Sequence, residues 1–103
     1  METDTIFALS TVPGKAAVAV IRVSGPGSFD TLRMLTKKLP KPRVASLRKL
    51  IFKGDLLDNA IVICFEKGSS FTGEEMVELH LHGGQAVVRD TMEFLTNGIF
   101  LFY

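Results

Sequence analysis

The chain has 103 residues, 47% of them hydrophobic and 22% charged, with a net charge of +1 at pH 7, as is ordinary for one globular domain. Its single cysteine, Cys64, excludes an internal disulfide and a cysteine-rich zinc cluster. No apolar run approaches the ~20 residues of a membrane span, and the N-terminal METDTIF is acidic where a signal peptide is basic, so we expect a cytoplasmic protein.

The first half of the chain predicts two strands, a helix and a third, partly exposed strand. DTIFALS is β-prone, and AAVAVIRVSG, after the loop TVPGK, is apolar on both faces except at Arg22, which is typical of a central strand covered on both sides. After Gly25-Pro26-Gly27, Ser28 is expected to cap a short amphipathic helix that ends near Leu39-Pro40. The segment KPRVASLRKLIFKGD then predicts a loop and a partly exposed strand.

The second half predicts two strands, a second helix and a last strand. LDNAIVICFEK is a continuous apolar run, followed after the loop GSSFTG by a strand from Met76 to His82. A helical stripe follows Gly83-Gly84 and ends at Asn97-Gly98; its members are Val87, Val88, Thr91, Met92 and Leu95. The last strand is IFLFY, and because domains seldom end on such an apolar run, we expect this domain to be truncated at its C-terminus.

These elements predict the fold class. Strands and helices are mixed without strict alternation, so we expect one α+β domain over residues 1–103. It should contain a single mixed β-sheet with helices packed mainly on one face.

The stretch FTGEEMVELHLHGG holds both histidines of the chain. Alternation along a strand directs Val77, Leu79 and Leu81 to one face and Met76, Glu78, His80 and His82 to the other. Two histidines and a carboxylate on one face can bind zinc or iron, but this spacing is a weak signal and no further histidine or cysteine lies nearby. We therefore predict no metal site.

A nucleotide phosphate loop is the next alternative, because VPGKAAVAV contains Gly-Lys. The Walker pattern requires a glycine five positions before that pair and Ser or Thr after the lysine. Leu9 and Ala16 occupy those positions, so the sequence predicts no GTP or ATP site.

Arg22 and Glu78 are both charged residues at strand positions expected to point inward. Buried charges are costly unless they are paired or bind a ligand. One interpretation is an internal salt bridge between the two. The other is a binding site in which the Glu78 carboxylate accepts the adjacent donors of a 2-amino-4-oxo heterocycle, such as a pterin or guanine, while Arg22 holds a carbonyl or carboxylate of the same ligand.

A basic segment without acidic residues lies between Asp30 and Asp55. Its cations are Arg33, Lys37, Lys38, Lys41, Arg43, Arg48, Lys49 and Lys53. Such a segment can attract phosphates, or it can be an ordinary solvated surface. The solvated surface is favoured because no aromatic residue lies between Phe29 and Phe52 to stack on a base.

Two segments, DTIFALSTVPGKAAVAVIRVSG and SFTGEEMVELHLHGG, closely resemble the N-terminal domain of the tRNA-modification GTPase family called MnmE or TrmE. The resemblance covers roughly residues 4–98, with KLPKPR between the two segments also similar. Glu75 stands where the family usually has Asp, and IFLFY departs from the family pattern.

This resemblance implies a fold similar to the folate-binding domain of glycine-cleavage aminomethyltransferases, and a role in dimerisation. The implied ligand is 5-formyl- or 5,10-methylene-tetrahydrofolate, the one-carbon donor for an aminomethyl-type group at C5 of the wobble uridine of tRNA. By position, Arg22 and Glu78 match the family's folate-contacting arginine and carboxylate. The resemblance assigns no catalytic residue to this chain.

The family also implies partners. These are a second copy in a homodimer, the flavin and NADH enzyme MnmG, and tRNA as the substrate of the complex, with no membrane. GTP, magnesium and potassium are bound by the family's GTPase domain, which this sequence does not contain, so the chain alone is not expected to be a catalyst. The alternative is a non-catalytic module for self-association and for contact with tRNA or MnmG, without bound folate.

Overall fold

The computed structural model describes residues 5–10, 18–68, 73–82, 84–97 and 101–102. The predicted loop TVPGK and most of the loop GSSFTG lie outside these residues. The elements are β1 (Ile6–Leu9), β2 (Ala19–Ser24), α1 (Ser28–Thr36), β3 (Ser46–Phe52), β4 (Asp55–Phe65), β5 (Met76–Leu81), α2 (Gly84–Thr96) and β6 (Leu101–Phe102).

The strands form one sheet in the order β3-β4-β5-β2-β1-β6. Every neighbouring pair is antiparallel except β1 and β6, which run parallel. The sheet is therefore mixed, and β2 lies near its middle, as the apolar run AAVAVIRVSG predicts.

Both helices pack on one face of the sheet, where they form the core. Leu32 and Leu35 of α1 and Phe94 and Leu95 of α2 belong to the same buried cluster. The strands contribute alternate residues to this cluster: Phe7, Ile21, Val23, Leu50, Ala60, Val62, Cys64, Val77, Leu79 and Leu81. The α+β fold with helices on one face is thus confirmed.

The opposite face of the sheet carries alternate residues of the same strands, and we call it the open face. It includes Val20 and Arg22 on β2, Ile61 and Ile63 on β4, and Glu78 and His80 on β5. The expectation that β2 is covered on both sides is wrong for the described part of the chain, because Val20 and Arg22 remain partly exposed. The helices cover only the face that Ile21 and Val23 occupy.

The start of α1 differs from the sequence prediction. Gly27, not Ser28, is the N-cap residue, and no side chain caps the helix by a hydrogen bond. Ser28 is the first helical residue, and its hydroxyl is buried without a hydrogen-bond partner among the described residues. Thr5, which directly precedes β1, accepts a hydrogen bond from the Gly27 N–H at 2.7 Å, so a residue distant in sequence fixes this helix start.

The other end of α1 also differs from the prediction. The helix ends at Thr36, before the predicted end near Leu39-Pro40. Lys37 has a positive φ of 68°, and its N–H donates to the Arg33 carbonyl at 2.9 Å. A left-handed residue at this position stops the helix.

A tight hairpin joins β3 to β4. Lys53 and Gly54 form its two-residue loop, with φ values of 52° and 84°. The Lys53 ammonium lies 5.3 Å from the centre of the Phe52 ring. β3 is an edge strand, and its register shifts between Leu50 and Ile51.

Candidate functional site

The candidate site begins with a pair of charged residues at the centre of the open face. Arg22 on β2 and Glu78 on β5 are direct cross-strand partners in the antiparallel register. Directly opposed residues point to the same face, so their side chains meet. The Arg22 Nε donates to the Glu78 Oε2 at 2.9 Å, while 39% of the arginine side chain and 13% of the glutamate side chain remain exposed.

His80 completes this group. It lies two residues after Glu78 on β5, and its Nε2 is 3.0 Å from the Glu78 Oε1. Each carboxylate oxygen therefore has one partner, Arg22 on one side and His80 on the other. We call these three residues the Arg22–Glu78–His80 cluster.

The cluster determines the charge state of its carboxylate. Burial raises the pKa of Glu78, but the hydrogen bonds from Arg22 and His80, together with their charges, outweigh burial and hold the pKa below its ordinary value. Glu78 is therefore ionised at neutral pH and accepts hydrogen bonds only.

Apolar side chains surround the cluster across the sheet. Ile63 on β4 is the partner of Glu78, and Ile61 on β4 and Val20 on β2 are the partners of His80. On the other side, Ala8 of β1 is the partner of Arg22. The site is thus a polar centre within a largely apolar, partly exposed surface.

His82 does not join the cluster. β5 ends at Leu81, and the His82 main-chain N–H donates to the Asp58 Oδ2 at 2.6 Å. Its Nδ1 lies 3.0 Å from the Asn59 carbonyl oxygen and donates a hydrogen bond to it. His82 thus follows the end of β5 and binds residues of β4, whereas His80 contacts the Glu78 carboxylate.

No metal site is found in the part of the chain that the structure describes. No group of three or more His, Cys, Asp or Glu side chains there is arranged to hold an ion. The histidines instead bind Glu78 and the Asn59 carbonyl. The metal alternative thus has no structural support among these residues.

Cys64 lies in the core, on the face that the helices cover. Its side chain is 1% exposed, and burial raises the pKa of its thiol to about 11, although the charges of Arg33 and Arg48 partly oppose this rise. A buried thiol with so high a pKa is a poor nucleophile. Cys64 therefore packs as a small buried hydrophobic residue.

The basic segment follows the outer edge of the sheet. It runs from the last turn of α1 through the connection to β3, and all its cations except the partly buried Arg48 are exposed. Arg33 forms an ion pair with Asp30 on the same helix. Cations on an edge strand also discourage pairing with other chains, so a solvated surface suffices to explain them.

The sequence reasoning found Arg22 and Glu78 but missed the contact of His80 with the carboxylate. The available signal was the spacing of two along one strand, which puts Glu78 and His80 on the same face.

Among the helices that the structure describes, none has the length and apolar character needed for a membrane span.

Comparisons with known proteins identify the relatives of this chain. A family model described as "GTP-binding protein TrmE N-terminus" matches residues 5–101. The tRNA modification GTPase MnmE of Caulobacter vibrioides is 53% identical over 94 residues, covering 91% of this chain and 21% of that protein. The mitochondrial tRNA modification GTPase mss1 of Schizosaccharomyces pombe is 52% identical, covering 89% of this chain and 19% of that protein.

A vertebrate protein is similar over the same extent. The mitochondrial 5-taurinomethyluridine-[tRNA] synthase subunit GTPB3 of Danio rerio is 48% identical over 94 residues, covering 89% of this chain and 19% of that protein. The chain therefore spans about a fifth of the length of the curated relatives it matches.

Proposed function

The chain belongs to the family described as GTP-binding protein TrmE N-terminus, whose relatives are tRNA modification GTPases, and from this premise we propose that it binds a one-carbon tetrahydrofolate and forms a homodimer. The single observation that supports the folate site best is the ionised, partly accessible Glu78 carboxylate at the centre of the open face.

The donor and acceptor groups of the cluster fit a pterin. A carboxylate has about four lone-pair positions, and Arg22 and His80 use one on each oxygen of Glu78. One acceptor position remains on each oxygen for the adjacent N–H donors of a 2-amino-4-oxo ring. The existing salt bridge is therefore compatible with ligand binding, because it orients the carboxylate without occupying all of its acceptor positions.

The surroundings fit the rest of such a ligand. Ile61, Ile63 and Val20 provide apolar surface beside the polar centre, as planar heterocycles require. The side chain of Arg22 is 39% exposed, and its guanidinium can attract a carbonyl or carboxylate of the ligand while its Nε holds Glu78. When bound, a 5-formyl- or 5,10-methylene-tetrahydrofolate supplies the one-carbon unit; this chain's residues only bind and orient it.

A folate titration by calorimetry tests this site. We expect Glu78→Ala to reduce the affinity for 5-formyltetrahydrofolate by about 2–5 kcal/mol, because it removes a charged contact to the ligand. Glu78→Gln keeps the shape and should also weaken binding. Glu93→Gln, on the exposed surface of α2, is the matched control and should bind as the unchanged chain does. Equal affinity for all variants would reject the assignment.

The apolar composition of the open face supports the dimer. Ile61, Ile63 and Val20 are partly buried there, yet no helix of the described chain covers them. A second copy can bury the part of this surface that the ligand leaves exposed. Sedimentation should show a dimer that Ile63→Glu dissociates, whereas Met34→Glu, at a side chain 61% exposed on α1, should leave it intact. A monomeric unchanged chain at high concentration would contradict the dimer.

Within this proposal the chain serves the modification of the wobble uridine of tRNA in a complex with MnmG, with GTP, magnesium and potassium bound elsewhere in the full-length relatives.

The second candidate function is an interaction module that dimerises and contacts tRNA or MnmG without folate. The exposed basic segment favours it. A stable dimer that ignores folate, with a salt-sensitive tRNA affinity lost on neutralising Lys37, Lys38 and Lys41, would support this module.

A further inference from the structure

His80 is the member of the cluster for which neither the motifs nor the comparisons give a role. We propose that His80 is a proton-dependent ligand-binding residue of this site: its Nε2–H positions Glu78, and its Nδ1 accepts a ring N–H of the ligand only while the imidazole is neutral. This inference rests on the proposed folate site and adds a third contact and a pH dependence to it.

The hydrogen bond to Glu78 determines which ring nitrogen carries the proton. An ionised carboxylate has no hydrogen to give, so at 3.0 Å from Oε1 the Nε2 of His80 must be the donor. In neutral imidazole only one nitrogen carries a hydrogen. Nδ1 is then the acceptor, and a second proton converts it into a donor that repels a ligand N–H.

His80 is partly accessible on the open face. Its side chain is 28% exposed on the open face, beside a carboxylate that is itself 13% exposed. Among the residues that the structure describes, the charged groups beside it on the open face are Glu78 on its own strand and Arg22 on β2, whereas its partners Val20 on β2 and Ile61 on β4 are apolar.

The acceptor complements the other members of the cluster. Glu78 also only accepts hydrogen bonds, so the pair presents acceptors to a ligand that is rich in N–H donors, as a tetrahydropterin is. A hydrogen bond accepted by an imidazole depends on protonation near neutral pH, so the proposed contact predicts a pH dependence of ligand binding.

The test measures the affinity of the 103-residue chain for 5-formyltetrahydrofolate between about pH 5.5 and pH 8. We expect binding to weaken about tenfold toward the acid end, the effect of losing one hydrogen bond. His80→Gln keeps an N–H donor for Glu78 but has no titratable acceptor. Because the glutamine amide offers an acceptor that does not titrate, this variant should lose most of the pH dependence. His82→Gln is the matched control and should keep the original pH profile.

The outcomes separate the two proposals. If the unchanged chain binds folate but His80→Gln keeps its pH profile, this inference is wrong and the folate site stands. If the unchanged chain binds no folate at any pH, both are wrong. A nitrogen-15 spectrum of the unchanged, ligand-free chain near pH 8 provides a readout without variants: the Nε2–H tautomer of His80 is expected, and the Nδ1–H tautomer overturns the inference.

Discussion

Arg22 and Glu78 face each other across the two central strands β2 and β5, and the arginine Nε donates to the glutamate Oε2 at 2.9 Å. The internal salt bridge that the sequence left as one of two interpretations is thus present. It does not exclude the other interpretation, because each oxygen of the carboxylate keeps an acceptor position. Since 39% of the arginine side chain is exposed, the pair contributes on the order of 1 kcal/mol to stability.

The first prediction concerns the pH dependence of stability. The pKa of Glu78 is lower in the folded chain than its ordinary value of 4.5, so its ionised form stabilises the fold. This contribution is fully present above about pH 4.5 and is lost as the pH falls through the lower folded-state value. Glu78→Gln should therefore lower the free energy of unfolding by about 1 kcal/mol at pH 7, and the difference should shrink in acid.

Urea unfolding of both proteins at several pH values checks this prediction. Glu93→Gln, at an exposed helix position, should have the same free energy of unfolding as the unchanged chain at every pH. A difference for Glu78→Gln that is as large in strong acid as at pH 7 would show that packing, rather than charge, causes it.

The second prediction concerns the contact between β1 and the start of α1. Thr5 is 7% exposed, and its hydroxyl accepts the Gly27 N–H at 2.7 Å. Thr5→Val keeps the shape but removes the acceptor, so the free energy of unfolding should fall by about 1–3 kcal/mol. Thr5→Ser keeps the hydroxyl, so its free energy of unfolding should fall by less. Chemical denaturation compares the two, and equal losses would mean that the hydrogen bond is unimportant.

The third prediction concerns the hairpin between β3 and β4. Gly54 has a φ of 84°, and a Cβ added there meets no atom within 4 Å. Any cost of a substitution is therefore conformational rather than steric. Gly54→Ala should destabilise the chain by about 1–2 kcal/mol, and Gly54→Asn by less, because asparagine tolerates the left-handed region. Thermal unfolding measures both; an alanine variant as stable as the asparagine variant would contradict this explanation.

The fourth prediction concerns the thiol of Cys64. With a pKa of about 11, about one molecule in a thousand is ionised at pH 8 even before access is considered. A thiol reagent should therefore label the folded chain slowly, through transient unfolding, and label the urea-unfolded chain at the rate of a small thiol. Fast labelling without denaturant would show that the core opens around this residue.

Much of the secondary structure follows from local patterns. The alternation in MVELHL and the helical stripe that includes Thr91 and Leu95 depend on the repeats of two and 3.6 residues, which neighbouring residues alone define. The same alternation put Arg22 and Glu78 on strands with one charged position each. The family likewise follows from ordered motifs, and the match over residues 5–101 confirms it.

The start of α1 and the contacts of the two histidines could not be predicted from local patterns. Ser28 has the right chemistry for an N-cap, but Thr5, 22 positions away from Gly27, holds that turn through the packing of β1. His80 and His82 have equal spacing and residue type, yet one binds Glu78 and the other binds β4 because the strand ends between them.

The sequence by itself determined the kinds of elements, the family, and the two charged residues worth examining. The tertiary structure alone decided that Arg22 and Glu78 are partners, 56 positions apart in the chain, and that the face carrying them is left open by the helices. Alternation fixes which side of its own strand a residue occupies, but not which strand lies beside it or in which register. Those choices depend on packing between segments distant in sequence, which no local pattern records.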